Sequence, residues 1–106
     1  MFLEKGHRSG EAAAWDSLGY ASHHLGQHRE ALACYERALA LHRLLGDRYN
    51  QSQTLVYLGD THRASGRPSV AGDAWQEALV ILEELRHPEV GQVRSRLDRL
   101  AAAQSG

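Results

Sequence analysis

The chain has 106 residues, 42% of them apolar, with 12 basic and 13 acidic side chains and a formal charge of −1, which bounds it to one domain around one core. Such a balance lacks the positive field that draws a protein to nucleic acid or an anionic membrane. No apolar run approaches the roughly 20 residues that cross a bilayer, the start MFLEKGHRS lacks the pattern of a secretory signal, and the single Cys34 excludes an internal disulfide framework and a Cys-rich zinc site, so a cytosolic chain is expected.

Phe2-Leu3-Glu4-Lys5 reads as the tail of a preceding helix, followed by a turn at Gly6-His7-Arg8, so residues 1–9 form a lead-in. Trp15, Leu18, Ser22 and Leu25 then share one helical face, predicting a first helix over about 10–25 that Gly26 ends. A second helix over 28–45 carries the stripe Ala31, Tyr35, Ala38, Leu39, His42 and Leu45, closed by Gly46 in the left-handed conformation. Leu55, Leu58 and His62 mark a third helix over 48–65. Gly66-Arg67-Pro68 makes the next turn, with Pro68 suited to the first helical position. The fourth helix, 68–85, copies the second with Ala71, Trp75, Ala78, Leu79, Leu82 and Leu85. A fifth, 89–103, turns Val90, Val93, Leu97 and Leu100 inward and Arg94, Arg96, Asp98 and Arg99 outward, before the polar end AAAQSG.

An offset of 40 relates the halves: Gly6, Arg8, Leu18, Gly19, Gly26, Ala31, Ala38, Leu39 and Leu45 return as Gly46, Arg48, Leu58, Gly59, Gly66, Ala71, Ala78, Leu79 and Leu85. Glycine inside a helix costs about 1 kcal/mol relative to alanine, so Gly19 and Gly59 require close approach of a neighbouring helix. Small residues at 31, 38, 71 and 78 allow an antiparallel partner to come near, with Tyr35 or Trp75 filling the gap.

This pattern resembles the tetratricopeptide repeat, which carries W-x2-L-G-x2-Y on the first helix of a pair and A-x3-F then A on the second. Trp15, Leu18, Gly19, Ala31, Tyr35 and Ala38 match in the first unit, and Leu58, Gly59, Ala71, Trp75 and Ala78 in the second. Leu55 stands in for the tryptophan, Ser22 and His62 for the tyrosine, and neither unit has the proline that follows the last alanine. The resemblance implies an all-α solenoid of antiparallel helix pairs: repeat 1 over 10–46, repeat 2 over 47–86, and a capping helix with a frayed end over 87–106. The spacing of 40 in place of the usual 34 resembles the longer repeats with a Gly-Asp turn, here Gly46-Asp47-Arg48. Residues 57–97 also look like the end of the C-terminal repeat arrays of actinobacterial antibiotic-pathway transcription regulators. That likeness implies a sensory or partner-binding array from a larger regulator.

In such a fold the first helices of successive pairs line a groove. Turning away from the packing stripe leads to Asp16, Tyr20 and His23 on the first helix and to Gln53, Tyr57, Asp60 and Arg63 on the third. Their aromatic, acidic and basic mixture suits a peptide or partner domain held by aromatic anchors and charge-assisted hydrogen bonds; the alternative is a solvated face on a spacer. The Lys and Asn set with which some relatives grip a C-terminal carboxylate is not present. A second reading is self-association through apolar surface on the first helix and around Phe2-Leu3.

Other chemistry finds little support. His24 and His28 are four apart, but Gly26 should separate their rings, so no metal site is expected. Cys34 lacks a basic neighbour and reads as a packed thiol, Glu83-Glu84 as a solvated helix end, and the arginines of the last helix, diluted by Glu89 and Asp98, as a poor nucleic-acid surface. No catalytic residue and no cofactor are assigned, and a small metal-dependent enzyme is the least favoured reading.

Overall fold

Positive backbone φ recurs every twenty residues: Gly26 at 78°, Gly46 at 69°, Gly66 at 82° and, without a glycine, Arg86 at 52°. At each of these points a helix ends in the same way. The amide of the next residue, Gln27, Asp47, Arg67 or His87, donates to the carbonyl five residues back, that of Ser22, His42, His62 or Leu82, at 2.8–3.0 Å. This double closure satisfies carbonyls that the helix leaves orphaned and reverses the chain.

The structure, a computed structural model, describes residues 2–105, with side chains over 7–104. Its helices are α1 (Phe2–His24), α2 (His28–Leu45), α3 (Arg48–Ala64), α4 (Pro68–Glu84) and α5 (Val90–Ser105), and no strand occurs among the described residues. Asp47 caps α3 by accepting from the Asn50 amide at 3.2 Å, and Pro68 opens α4, where its missing N–H is not needed. The expected turn at 6–8 does not form, because α1 continues through it from Phe2. Gly6 and Gly10 lower helix propensity without breaking the helix, unlike Gly26, Gly46 and Gly66, beyond which the chain folds back. The Phe2 and Leu3 side chains, expected to add to an apolar edge, lie outside the described side chains.

Successive helices pack as neighbours, α1 on α2, α2 on α3, α3 on α4 and α4 on α5, with a further contact from α1 to α3. The result is a thin stack of 52 × 33 × 16 Å. No described helix is long and apolar enough to cross a membrane. Gly19 and Gly59 explain how tightly each pair closes. A Cβ on Gly19 would stand 2.7 Å from Tyr35 Cε1, and one on Gly59 only 2.3 Å from Trp75 Nε1, distances that side chains do not tolerate. Each mid-helix glycine is therefore the floor on which the aromatic ring of the next helix lies. Ala31, Ala38, Ala71 and Ala78, all fully buried, flank those rings. The Trp75 indole donates to the Val56 carbonyl at 3.3 Å and to Asp60 Oδ1 at 3.2 Å, so burial leaves its N–H paired.

The core runs from Ala31, Tyr35 and Leu39 through Leu55, Val56 and Leu58 to Trp75, Leu82, Val93 and Leu100. Cys34 is a buried free thiol. One expected stripe is different in the structure. Leu18 on α1 and Leu25 just beyond its end, placed inward by the periodicity, are exposed; Ser22 of the same stripe is buried, together with Ala12 and Gly19. α1 is covered only on its α2 and α3 side; no helix among the described residues lies against the other flank. Leu85 is likewise exposed at the end of α4.

Candidate functional site

First helices of the pairs, together with α5, share one face. Four hollows follow one another along it. One of about 230 Å³ lies among Asp16, Ser17, Tyr20 and Tyr57. A second, about 360 Å³, adds Ser9, Ala13, His42, Tyr49, Asn50 and Gln53. The third is a constriction of about 150 Å³ with Gln53, Tyr57, Glu89 and Gln92 in its wall. The fourth opens to about 400 Å³ around Asp60, Arg63, Gln92 and Arg96. Neighbouring hollows share residues at their borders, so they form one groove.

Six of the seven residues picked from the sequence fall in these walls, and His23 lies beside them. Most are tied to another helix. Asp16 accepts from Thr54 Oγ1 of α3 at 2.8 Å and meets His42 Nε2 of α2 at 2.9 Å, linking three helices around a nearly buried imidazole. His23 Nδ1 lies 2.9 Å from Thr61 Oγ1. Burial lowers the His23 pKa below its ordinary value, and the neighbouring His24 and His28 lower it further. Gln53 donates to Glu89 Oε2 at 2.7 Å, joining α3 to the start of α5. Asp60 takes a two-pronged ion pair from Arg96, Nε at 2.8 Å and Nη2 at 3.2 Å, besides the Trp75 indole. These polar groups fix the spacing of α1, α3 and α5 and so make the groove rigid.

The rest are available. Tyr20 is 54% exposed, edge-on to His24 at 4.3 Å and to Tyr57 at 6.2 Å. Tyr57 is half-buried and stacked on Tyr35 at 5.4 Å, so one side of its ring belongs to the core and the other to the groove. Burial, then the charge of Asp16, raises the Tyr57 pKa, keeping its hydroxyl neutral and able to donate. Arg63 is exposed and meets no carboxylate among the described residues.

Residues outside the sequence selection complete the site. α5, expected to act as a cap, contributes Gln92, Ser95, Arg96 and Arg99, and the turn before it Glu89; Tyr49, whose hydroxyl lies 3.2 Å from Glu89 Oε2, and Asn50 come from the first turn of α3. The signal was present in the outward arginines of 94–99, which periodicity places on a surface without saying which surface faces Asp60. Among the histidines, it is His23 that approaches His28, ring centres 5.7 Å apart. No three His, Cys, Asp or Glu side chains among the described residues are placed to hold a metal ion.

The opposite edge of the stack carries a separate apolar hollow of about 280 Å³ between Glu11, Ala14, Trp15 and Leu18. Arg37 of α2 lies over the Trp15 ring at 4.8 Å.

No curated protein and no solved structure matches the chain. Its sequence does match the family model of the tetratricopeptide repeat over residues 10–84, which takes in α2, α3, α4 and most of α1. With the paired helices, the glycine floors beneath Tyr35 and Trp75 and the left-handed turns, that match establishes that the chain belongs to the tetratricopeptide repeat family.

Proposed function

We propose that the chain is a non-catalytic interaction module that holds a peptide or a partner domain along the face of α1, α3 and α5. Tetratricopeptide repeats generally mediate protein–protein contacts, and the observation that carries the reading here is the continuous groove with an exposed Tyr20 beside a half-buried Tyr57. Hydrogen bonds that Asp16 and Asp60 accept, that Gln53 donates and that His23 shares with Thr61 hold its walls before any partner arrives, so little ordering free energy is lost on binding. Asp16, Tyr20, His23, Gln53, Tyr57, Asp60 and Arg63 are the groove residues of this reading, with Tyr20 and Arg63 making direct contact. The units are 40-residue repeats, as the paired positions Gly19 and Gly59 suggest, and the array belongs to a cytoplasmic transcription regulator of the actinobacterial antibiotic-pathway kind. The YLGDTHRASG segment and the helix after it support that placement. A complete reading frame with DNA-binding and nucleotide-binding segments would bear it out.

Peptides selected from a displayed random library against the folded chain test the groove. Tyr20→Ala should weaken the selected peptide about tenfold, in keeping with loss of an aromatic anchor, and leave the melting temperature unchanged. Equal binding by Tyr20→Ala would remove the reading. Tyr57→Ala is the poorer probe, since the ring also stacks on Tyr35.

A second reading, self-association, is favoured by one feature: the hollow at Trp15 and Leu18 offers apolar surface that a copy of the same edge would cover. Light scattering across a concentration series separates the two, a dimer that Leu18→Glu dissolves supporting this reading and a monomer throughout excluding it.

A further inference from the structure

The largest hollow of the groove is the one of the four whose lining carries an excess of arginine over carboxylate. Three guanidinium groups, Arg63, Arg96 and Arg99, line it against one carboxylate, Asp60, leaving two positive charges in a chain whose formal total is −1. Arg43 is matched with Glu77, Arg48 with Glu84 and Arg94 with Glu83, whereas Arg29, Arg37, Arg67 and Arg86 make no ion pair among the described residues but line none of the hollows. Here Asp60 is spent on Arg96 and on the Trp75 indole. Arg96 is thereby fixed, with only a 3.5 Å contact from Nη1 to the Gln92 carbonyl besides. Arg63 and Arg99, one on α3 and one on α5, reach no carboxylate among the described residues.

We propose that this hollow between α3 and α5 binds a phosphate monoester carried by the peptide that lies in the groove. The proposal rests on the groove reading and names what its occupant carries. A carboxylate would neutralise one of the two unspent charges. A phosphate monoester brings about −1.5 to −2 at neutral pH and three acceptor oxygens, which suits two guanidinium forks on opposite walls. Ser95 and Gln92 add neutral donors beside them. At about 400 Å³ the space takes a phosphorylated side chain as well as its phosphate.

The chain contains its own reporter. Only two tryptophans are present, and the Trp75 indole N–H, bonded to Asp60, stands in the wall of this hollow, whereas Trp15 stands at the other edge of the stack. Inorganic phosphate, titrated against chloride at constant ionic strength, should shift the Trp75 indole resonance to saturation and leave that of Trp15 in place. A blocked peptide with one phosphoserine should bind more tightly than inorganic phosphate, and at least tenfold more tightly than its serine and glutamate counterparts. Arg63→Gln with Arg99→Gln should weaken both probes at least tenfold with an unchanged melting curve; Arg96 is left alone because it also holds Asp60. An unmoved Trp75 resonance, equal shifts at both indoles, a glutamate peptide that binds as well, or full binding by the double variant would overturn the proposal. So would a phosphopeptide that binds no better than free phosphate. Tyr20→Ala should retain the inorganic phosphate shift, so failure of the phosphate site is distinguishable from failure of the groove, which is read from the Tyr20 dependence of an unphosphorylated selected peptide.

Discussion

Trp15 and Leu18 occupy on α1 the positions that Leu55 and Leu58 occupy on α3 forty residues later, and Glu11 and Ala14 the positions of Gln51 and Thr54. Leu58 is 5% exposed, Leu18 51%. Thr54 is fully buried and hydrogen-bonded to Asp16, while Ala14 lies open beside the hollow at Trp15. Local sequence is the same in kind at the two places; the difference is the neighbour. α3 lies between α2 and α4, with α1 alongside and α5 tied to it through Asp60 and Arg96, whereas α1 has company on one flank among the described residues. A repeat motif thus specifies which surface is offered for packing, and the next unit decides whether it is used, as expected of a stack in which each unit touches only its neighbours.

The sharpest way to break that comparison is to delete both leucines separately. Leu58→Ala should cost about 2–5 kcal/mol by leaving a cavity in the core, and Leu18→Ala at most about 0.5 kcal/mol, as at an exposed site, both read from denaturant midpoints. A large loss at Leu18 would mean that the edge is covered in solution. Next come the glycine floors. Gly59→Ala should cost about 2–3 kcal/mol, since an added methyl meets an indole held by two hydrogen bonds. Gly19→Ala should cost less, because the Tyr35 ring it meets can shift with Tyr57 toward the groove. Thermal unfolding of the two variants ranks them.

A smaller effect, of opposite sign, is expected where the turn series loses its glycine. Arg86 holds a left-handed conformation that costs an ordinary residue about 1–2 kcal/mol. Arg86→Gly should recover part of that, about 0.5–1 kcal/mol after the greater chain entropy of glycine is lost on folding, seen as a higher melting temperature. The smallest effect is in pH. His62, in part buried with an Nδ1 that finds no partner, has its pKa lowered by burial first and by Arg67 second; burial likewise lowers that of His23. Each binds its proton more weakly folded than unfolded, so the stability these groups lend is full above the unfolded value of 6.5 and declines as pH falls through the lower folded values. His62→Leu should flatten the melting temperature between about pH 7 and pH 5.

Much of the fold was legible because its determinants are local. Turn glycines, the Asp47 cap, Pro68 and the alanine pairs act within a few residues, and the helix limits they imply agree with the structure to within two residues except at the start of α1. Gly19 and Gly59 announced close contact, since nothing else justifies glycine inside a helix. Leu18 and Leu25 were misplaced because periodicity reports a preference for burial and not the presence of a partner. In the site, outward-facing positions were found from the same periodicity, but their use was not. Asp16, Gln53 and Asp60 look like free surface groups on their own helices; their partners Thr54, Glu89 and Arg96 are 36 to 38 residues away, on other helices. No single-helix pattern carries that information, and the same gap hid α5 as a wall of the groove.

Which surface of the stack makes contact is measured directly by amide shift mapping of the labelled chain with a library-selected peptide. The largest shifts should fall at Ser17, Tyr20, Tyr57 and Gln92, along the face of α1, α3 and α5. Shifts centred on Ala33, Glu36 and Gln76, on the outer surfaces of α2 and α4, or confined to Trp15 and Leu18, would contradict it.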